Sequence, residues 1–99
     1  MTGAAPDRLA EVRAALATVI DPETGHDLVA MGMIYAVELE GDLLRVTMTT
    51  TIRGCPMAEL LRAGAEAALA GLPGIARAEV RLTWDPPWTP ARIGAGIGL

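Results

Sequence analysis

The residues best suited to chemistry are the single cysteine, Cys55, and the acidic pair Asp21 and Glu23. Cys55 precedes Pro56, between a stretch typical of a strand and one typical of an amphipathic helix. Proline is favoured at the first position of a helix, so the pattern predicts that Cys55 lies at or next to the helix N-cap. There the free N–H groups and the helix dipole favour a thiolate, which attacks electrophiles and binds soft metals. The alternative is a buried cysteine that only fills space.

Composition narrows the class of protein. The 99 residues suffice for one domain, 1–99, and the single cysteine excludes both an intrachain disulfide and an all-cysteine metal site within one chain. Lysine is absent and the net charge is −4, so we expect no nucleic-acid partner. No apolar run approaches the roughly 20 residues that span a bilayer, so we expect no membrane association and a cytoplasmic location.

Hydrophobic periodicity predicts two helices and three strands. They are a helix over 6–20, strands over 33–40 and 43–50, a helix over 56–71 and a strand over 75–84. The first helix should carry an apolar face that ends at Ile20, and Gly41-Asp42 should turn the first two strands into a hairpin. Alternation along the strands places Tyr35 on the inward face and Thr49 on the outward face.

The element order predicts an α/β fold, helix-strand-strand-helix-strand, in a two-layer sandwich. The strand–helix–strand unit should place the last two strands parallel, giving a small mixed sheet with both helices on its one apolar face. This topology brings the loop 21–32 to the sheet end at which the last two strands finish. A shallow pocket is therefore expected there, formed by Asp21, Glu23, Thr51, Cys55 and Asp85.

Several of these residues have a purely structural alternative. Asp21 is about equally suited to an Asx turn before Pro22. Trp84 continues the inward alternation of its strand, which favours packing in the core. Trp88 lies in a proline-rich loop, which favours a role, together with Asp85, in covering a pocket or contacting a partner.

Four motifs, taken together, resemble a known family. The chain resembles the SufT/PaaD-like family of metal–sulfur cluster assembly proteins in Asp21-Pro22-Glu23, Met31-Gly32-Met33-Ile34-Tyr35, Thr51-x-x-Gly54-Cys55-Pro56-Met57 and Trp84-Asp85-Pro86-Pro87-Trp88-Thr89-Pro90. The resemblance implies a small α/β fold, a role in maturing or transferring clusters to client enzymes, and a pocket of Asp21, Glu23, Thr51 and Cys55. The chain departs from the family pattern at Thr24-Gly25 and Ala30, and lacks the cysteine-bearing extension of PaaD-type members. A stand-alone SufT-like member is the closer likeness.

The residues and the resemblance together predict a mechanism. An iron–sulfur cluster normally takes four ligands, and Cys55 supplies one per chain, so a transient cluster held with a second chain, a small thiol or a client is expected. We therefore predict a carrier or adaptor, in a homodimer or docked on client apo-proteins or the assembly machinery. Asp21 and Glu23 would tune the site, Thr51 would hydrogen-bond near the sulfur, and Trp88 would mark the docking surface.

Two other functions fit the same residues. The first is an adaptor that holds no metal, in which Cys55 and the tryptophan loop recruit a client or an assembly machine. The second is an enzyme with a cysteine nucleophile. The enzyme is disfavoured because the only imidazole, His26, would reach the site only if its loop folded inward, so we expect no catalytic activity.

Overall fold

The five predicted elements form in the predicted order. The computed structural model describes residues 6–51 and 57–94. Its elements are α1 (Pro6–Leu16), β1 (Ile34–Glu40), β2 (Leu43–Met48), α2 (Met57–Ala70), β3 (Arg77–Leu82) and a final 3-10 turn (Pro90–Arg92). Strand β2 lies in the centre of the sheet, antiparallel to β1 and parallel to β3. The mixed sheet and the two-layer α/β architecture are therefore confirmed.

Helix α1 ends at Leu16, so the prediction of a helix to residue 20 was wrong. After Ala17 come three β-branched residues, Thr18, Val19 and Ile20, which have a lower helix propensity. The N–H of Val19 bonds back only three residues, to the carbonyl of Leu16 (3.2 Å). Ile20 then forms an antiparallel bridge with Asp27 and is 49% exposed, which removes it from the apolar face assigned to α1.

Strand β1 contains a bulge that sequence alternation does not show. The pairing with β2 shifts between Ile34 and Ala36, so Ile34 lies opposite Met48 while Tyr35 is the extra residue. Ile34 is fully buried and Tyr35 only partly so, and the inward position predicted for Tyr35 is taken by Ile34.

One aliphatic core joins both helices, the sheet and the loop between α1 and β1. Its buried members are Val12, Leu16, Leu28, Met31, Met33, Ile34, Leu44, Val46, Met48, Leu61, Ala65, Leu69 and Val80. Both helices thus pack on the same apolar layer as the inward residues of the three strands. The loop adds Leu28, Met31 and Met33, which anchor it to this layer.

The outer edge of β3 is closed by a side chain of α2. The carboxylate of Glu66 accepts the backbone N–H of Val80 (3.2 Å) and also pairs with Arg62 (3.0 Å). An unpaired strand edge is a place where another chain can add, so this bond protects β3.

Candidate functional site

Three segments meet at one end of the sheet. Ile34 at the start of β1 pairs with Met48 at the end of β2, and Met48 pairs with Leu82 at the end of β3. The Thr49 N–H donates to the carbonyl of Met33 (2.8 Å), which extends the pairing towards the loop. The loop 21–33, the segment 49–51 and the segment after β3 therefore emerge side by side.

Asp21 shapes the loop from a buried position. It is only 2% exposed, and its Oδ1 accepts the N–H of Glu23 (2.9 Å) in an Asx turn. Its own N–H donates to the carbonyl of His26 (2.9 Å), and its carbonyl accepts the N–H of Gly25 (2.8 Å). The structural alternative considered for Asp21 is therefore realised, and it places a carboxylate in the protein interior.

Glu23 is placed differently from its neighbour. Its side chain is exposed and forms no ion pair or hydrogen bond with any of the residues described. The Glu23 N–H donates to Asp21 Oδ1, and this bond fixes the position of the Glu23 backbone on the loop. Of the two acidic groups, Glu23 is the one open to a ligand from solvent.

The chain after β2 turns inward. Thr49 is fully buried, which corrects its predicted outward position, because the ladder ends at Met48 and Thr49 instead bonds to Met33. Thr50 is 3% exposed, and Thr51, predicted to belong to the pocket, is half-buried. The predicted N-cap cysteine, Cys55, lies outside the described residues.

Asp85 and Trp84 line an open concavity of about 290 Å³, together with Leu82 and Thr83. Asp85 is exposed, and its N–H donates to the Thr83 hydroxyl (3.3 Å). Trp84 is half-buried and does not join the core, so its predicted core packing was wrong. Its indole N–H donates to the hydroxyl of Thr50 (3.0 Å), which links the end of β3 to the segment after β2.

Trp88, rather than Trp84, packs against the core. Its side chain is partly buried against the core cluster, and its indole N–H donates to the carbonyl of Met31 (2.7 Å). The structure therefore ties Trp88 to the end of the loop 21–33. Its predicted contact with a partner stays a prediction.

Further contacts hold the same segment, and sequence analysis missed them. The Tyr35 hydroxyl donates to the carbonyl of Pro86 (2.8 Å), and the Arg92 guanidinium lies over the Tyr35 ring at 4.5 Å. Gly32 has a φ of +69° and lies so close to Arg92 that a Cβ would fall 2.0 Å from the Arg92 carbonyl oxygen. The signal for this close approach was the glycine itself, inside an otherwise apolar motif.

The described ranges, 6–51 and 57–94, hold no group of three or more His, Cys, Asp or Glu side chains arranged for a metal ion. Within the same ranges no helix is both long and apolar enough to span a membrane.

The fold and these motifs define the class of protein: the chain belongs to the iron–sulfur cluster assembly protein family, whose model matches residues 9–82. It is 43% identical to the Fe-S protein maturation auxiliary factor YitW of Bacillus subtilis over 93 residues, which cover 87% of this chain and 91% of that protein. It is 42% identical to the Fe-S protein maturation auxiliary factor SufT of Staphylococcus aureus over 86 residues, which cover 80% and 98% of the two chains. A crystal structure of a domain of unknown function from Bacillus anthracis superimposes with a TM-score of 0.79 at 37% identity, covering 85% of this chain and 81% of that one.

Proposed function

We propose that this protein is a maturation factor for iron–sulfur proteins, which carries or transfers a cluster to client apo-proteins through Cys55. The observation that supports this most is the similarity to two maturation auxiliary factors along nearly their whole length. A cluster is here the cargo of the protein.

The number of thiol ligands in the chain favours transfer of a cluster over its storage. A cluster normally takes four ligands, and each chain has a single thiol. The other ligands would come from a second copy of the chain, a small thiol or the client. A site completed by the acceptor releases its cargo readily, and this suits a carrier that works in a reducing cytoplasm.

The two acidic residues have separate roles in this proposal. Asp21 is buried and already bonded to the turn, so it sets the shape of the loop. Glu23 is exposed and offers an oxygen ligand to iron before a thiolate takes it. The half-buried Thr51 lies four positions before Cys55 in the sequence, so its hydroxyl would hydrogen-bond near the sulfur.

Anaerobic reconstitution with iron and sulfide tests the proposal. Visible absorption from sulfide-to-iron charge transfer is expected for the unmodified protein and lost in Cys55→Ser. Thr51→Ser, which keeps a hydroxyl beside the same segment, serves as the matched control and should retain the absorption. A cluster signal unchanged in Cys55→Ser excludes the cysteine as a ligand.

A second proposal is an adaptor that holds no metal, and the concavity lined by Trp84 and Asp85 favours it. In this form the tryptophan loop alone suffices to bind the client, so the adaptor would capture a purified client apo-enzyme equally well with and without Cys55. Asp85→Asn would weaken capture, whereas Asp42→Asn, in the exposed hairpin turn at the other end of the sheet, would not. Loss of capture in Cys55→Ser alone would favour the carrier.

We propose that the protein is not an enzyme, whether it acts as a cluster carrier or as a metal-free adaptor. The single imidazole, His26, is exposed. It lies on the turn closed by the bond from the Asp21 N–H to the His26 carbonyl. Turnover of a thioester or persulfide substrate that is lost in both Cys55→Ser and His26→Gln would overturn this proposal.

A further inference from the structure

We propose that residues 86–94, named here the C-terminal clasp, hold the Asp21 loop (residues 21–33) in place, with Trp88 and Arg92 as the positioning side chains. The inference rests on the proposed function only in treating this loop as part of the cluster site.

Three successive carbonyl groups at the end of the loop each accept a bond from the clasp. The Ala30 carbonyl accepts the N–H of Gly94 (2.9 Å), and the Met31 carbonyl accepts the indole N–H of Trp88 (2.7 Å). The Gly32 carbonyl accepts the Nε–H of Arg92 (3.3 Å). Since three consecutive carbonyls are held by one segment, the path of the loop end is fixed at three points.

Close packing supports these bonds. Gly32 has no side chain where the backbone of Arg92 passes, and the positive φ at Gly32 suits glycine. The guanidinium of Arg92 lies over the Tyr35 ring at 4.5 Å, within the range of a cation–π interaction. The Tyr35 hydroxyl in turn holds the Pro86 carbonyl (2.8 Å). The clasp is therefore attached to the loop end and to the start of β1.

Hydrogen bonds connect the clasped end of the loop to Asp21. The N–H of Met31 donates to the carbonyl of Asp27 (3.1 Å), and the Asp27 carboxylate accepts the N–H of Ala30 (2.9 Å). Asp27 also forms a bridge with Ile20, directly before Asp21. Movement at Met31 therefore reaches Asp21 through two short bonded turns.

Besides its buried core side chains, the loop is held by such contacts because it contains no helix or regular strand. Irregular segments open at lower free energy than a sheet, since fewer backbone bonds hold them. Loss of a clasp bond should therefore loosen the loop while β2, in the centre of the sheet, stays closed.

Amide hydrogen exchange by NMR on the full, metal-free chain tests the clasp. Trp88→Phe keeps the ring and removes the N–H donor, and we expect about fivefold faster exchange at the hydrogen-bonded amides of Gly25, Leu28 and Met31. Trp84→Phe is the matched control, since it removes the same donor from a bond to Thr50, which lies outside the loop. It should leave these three rates within about twofold of the unmodified protein. Amides of β2 should be unchanged in both variants.

Unchanged loop rates in Trp88→Phe would overturn the inference. An equal increase in the loop and in β2 would also overturn it, because Trp88 would then only stabilise the whole fold. If Trp88→Phe does not fold, Arg92→Met, which removes the Nε–H bond to Gly32, is measured against the same criteria. No iron is present in the exchange experiment, so its result is independent of cluster binding. If the unmodified protein fails to take up a cluster while Trp88→Phe still exchanges faster in the loop, the proposed function is rejected and the clasp is retained.

Discussion

The indole N–H of Trp88 donates to the carbonyl of Met31 across 57 residues of sequence, at 2.7 Å. This bond joins two of the four motifs by which the chain resembles its family. The Tyr35–Pro86 bond joins the same two motifs again. The Trp84–Thr50 bond brings the last motif beside the residue that precedes Thr51, where the cysteine motif starts. The second and fourth motifs are thus joined at one end of the sheet, next to the residue before Thr51.

Gly32→Ala should destabilise the protein far more than Gly25→Ala. Both glycines have positive φ, which costs about 1–2 kcal/mol for alanine, but only at Gly32 would the new Cβ meet the Arg92 backbone. We expect a loss of at least about 3 kcal/mol for Gly32→Ala and about 1 kcal/mol for Gly25→Ala, measured by guanidinium denaturation. Equal losses would contradict the close approach of the clasp.

Asp21→Asn distinguishes the effect of the Asp21 turn on the shape of the loop from the effect of the negative charge of Asp21. Asparagine keeps the side-chain oxygen that accepts the Glu23 N–H, so the free energy of unfolding should change by less than about 0.5 kcal/mol. Asp21→Ala removes the acceptor and should cost about 1–2 kcal/mol. Reconstitution that is normal in Asp21→Asn shows that the residue acts through the turn alone, and reconstitution that fails shows that the charge is needed.

Glu66→Ala should destabilise the edge of β3. The substitution leaves the Val80 N–H without its acceptor and should cost about 1 kcal/mol in thermal or chemical denaturation. Glu59→Ala is the control, since Glu59 also pairs with Arg62 but has a side chain that is 69% exposed, and its bond is to a helix residue. Its effect should stay within about 0.5 kcal/mol. A comparable loss in both variants would assign the effect to the Arg62 pair instead.

The rate of Cys55 alkylation by iodoacetamide should reveal an activated thiolate. Its pH dependence gives the pKa of the thiol, which the predicted helix N-cap position places below the ordinary value of about 8.5. The same titration in 6 M guanidinium supplies the unfolded reference. Identical pKa values in the folded and unfolded protein would remove the electrostatic basis of the proposed site.

Much of the fold follows from local sequence patterns. The turn at Gly41 and the alternation on either side of it predict the β1–β2 hairpin, and the helix between β2 and β3 predicts their parallel pairing. The end of α1 was missed because apolar spacing continues through Val19 and Ile20 although both are β-branched. Val19 still packs against the core from the turn, whereas Ile20 is 49% exposed, so apolar spacing marks neither the end of a helix nor the burial of every residue in the pattern.

The candidate site was less predictable for a related reason. Alternation predicts a side chain's direction only while the strand continues, and β3 ends at Leu82, before Trp84. The roles of Trp84 and Trp88 in the core were therefore reversed. The contact between Arg92 and Gly32 joins residues 60 positions apart, and such a contact produces no periodic pattern in the sequence from which it could be predicted. The predicted topology nevertheless placed the loop between α1 and β1, the segment after β2 and the segment after β3 at the same end of the sheet, where the strand pairing puts them.

The family match ends at residue 82, while Trp88 and Arg92 follow it. A recombinant fragment trimmed at that boundary would retain every helix and strand of the sandwich and still lose the cover over Met31. We expect such a fragment to expose core side chains to water and to aggregate. A fragment intended for crystallisation or cell-based work should therefore end after Gly94.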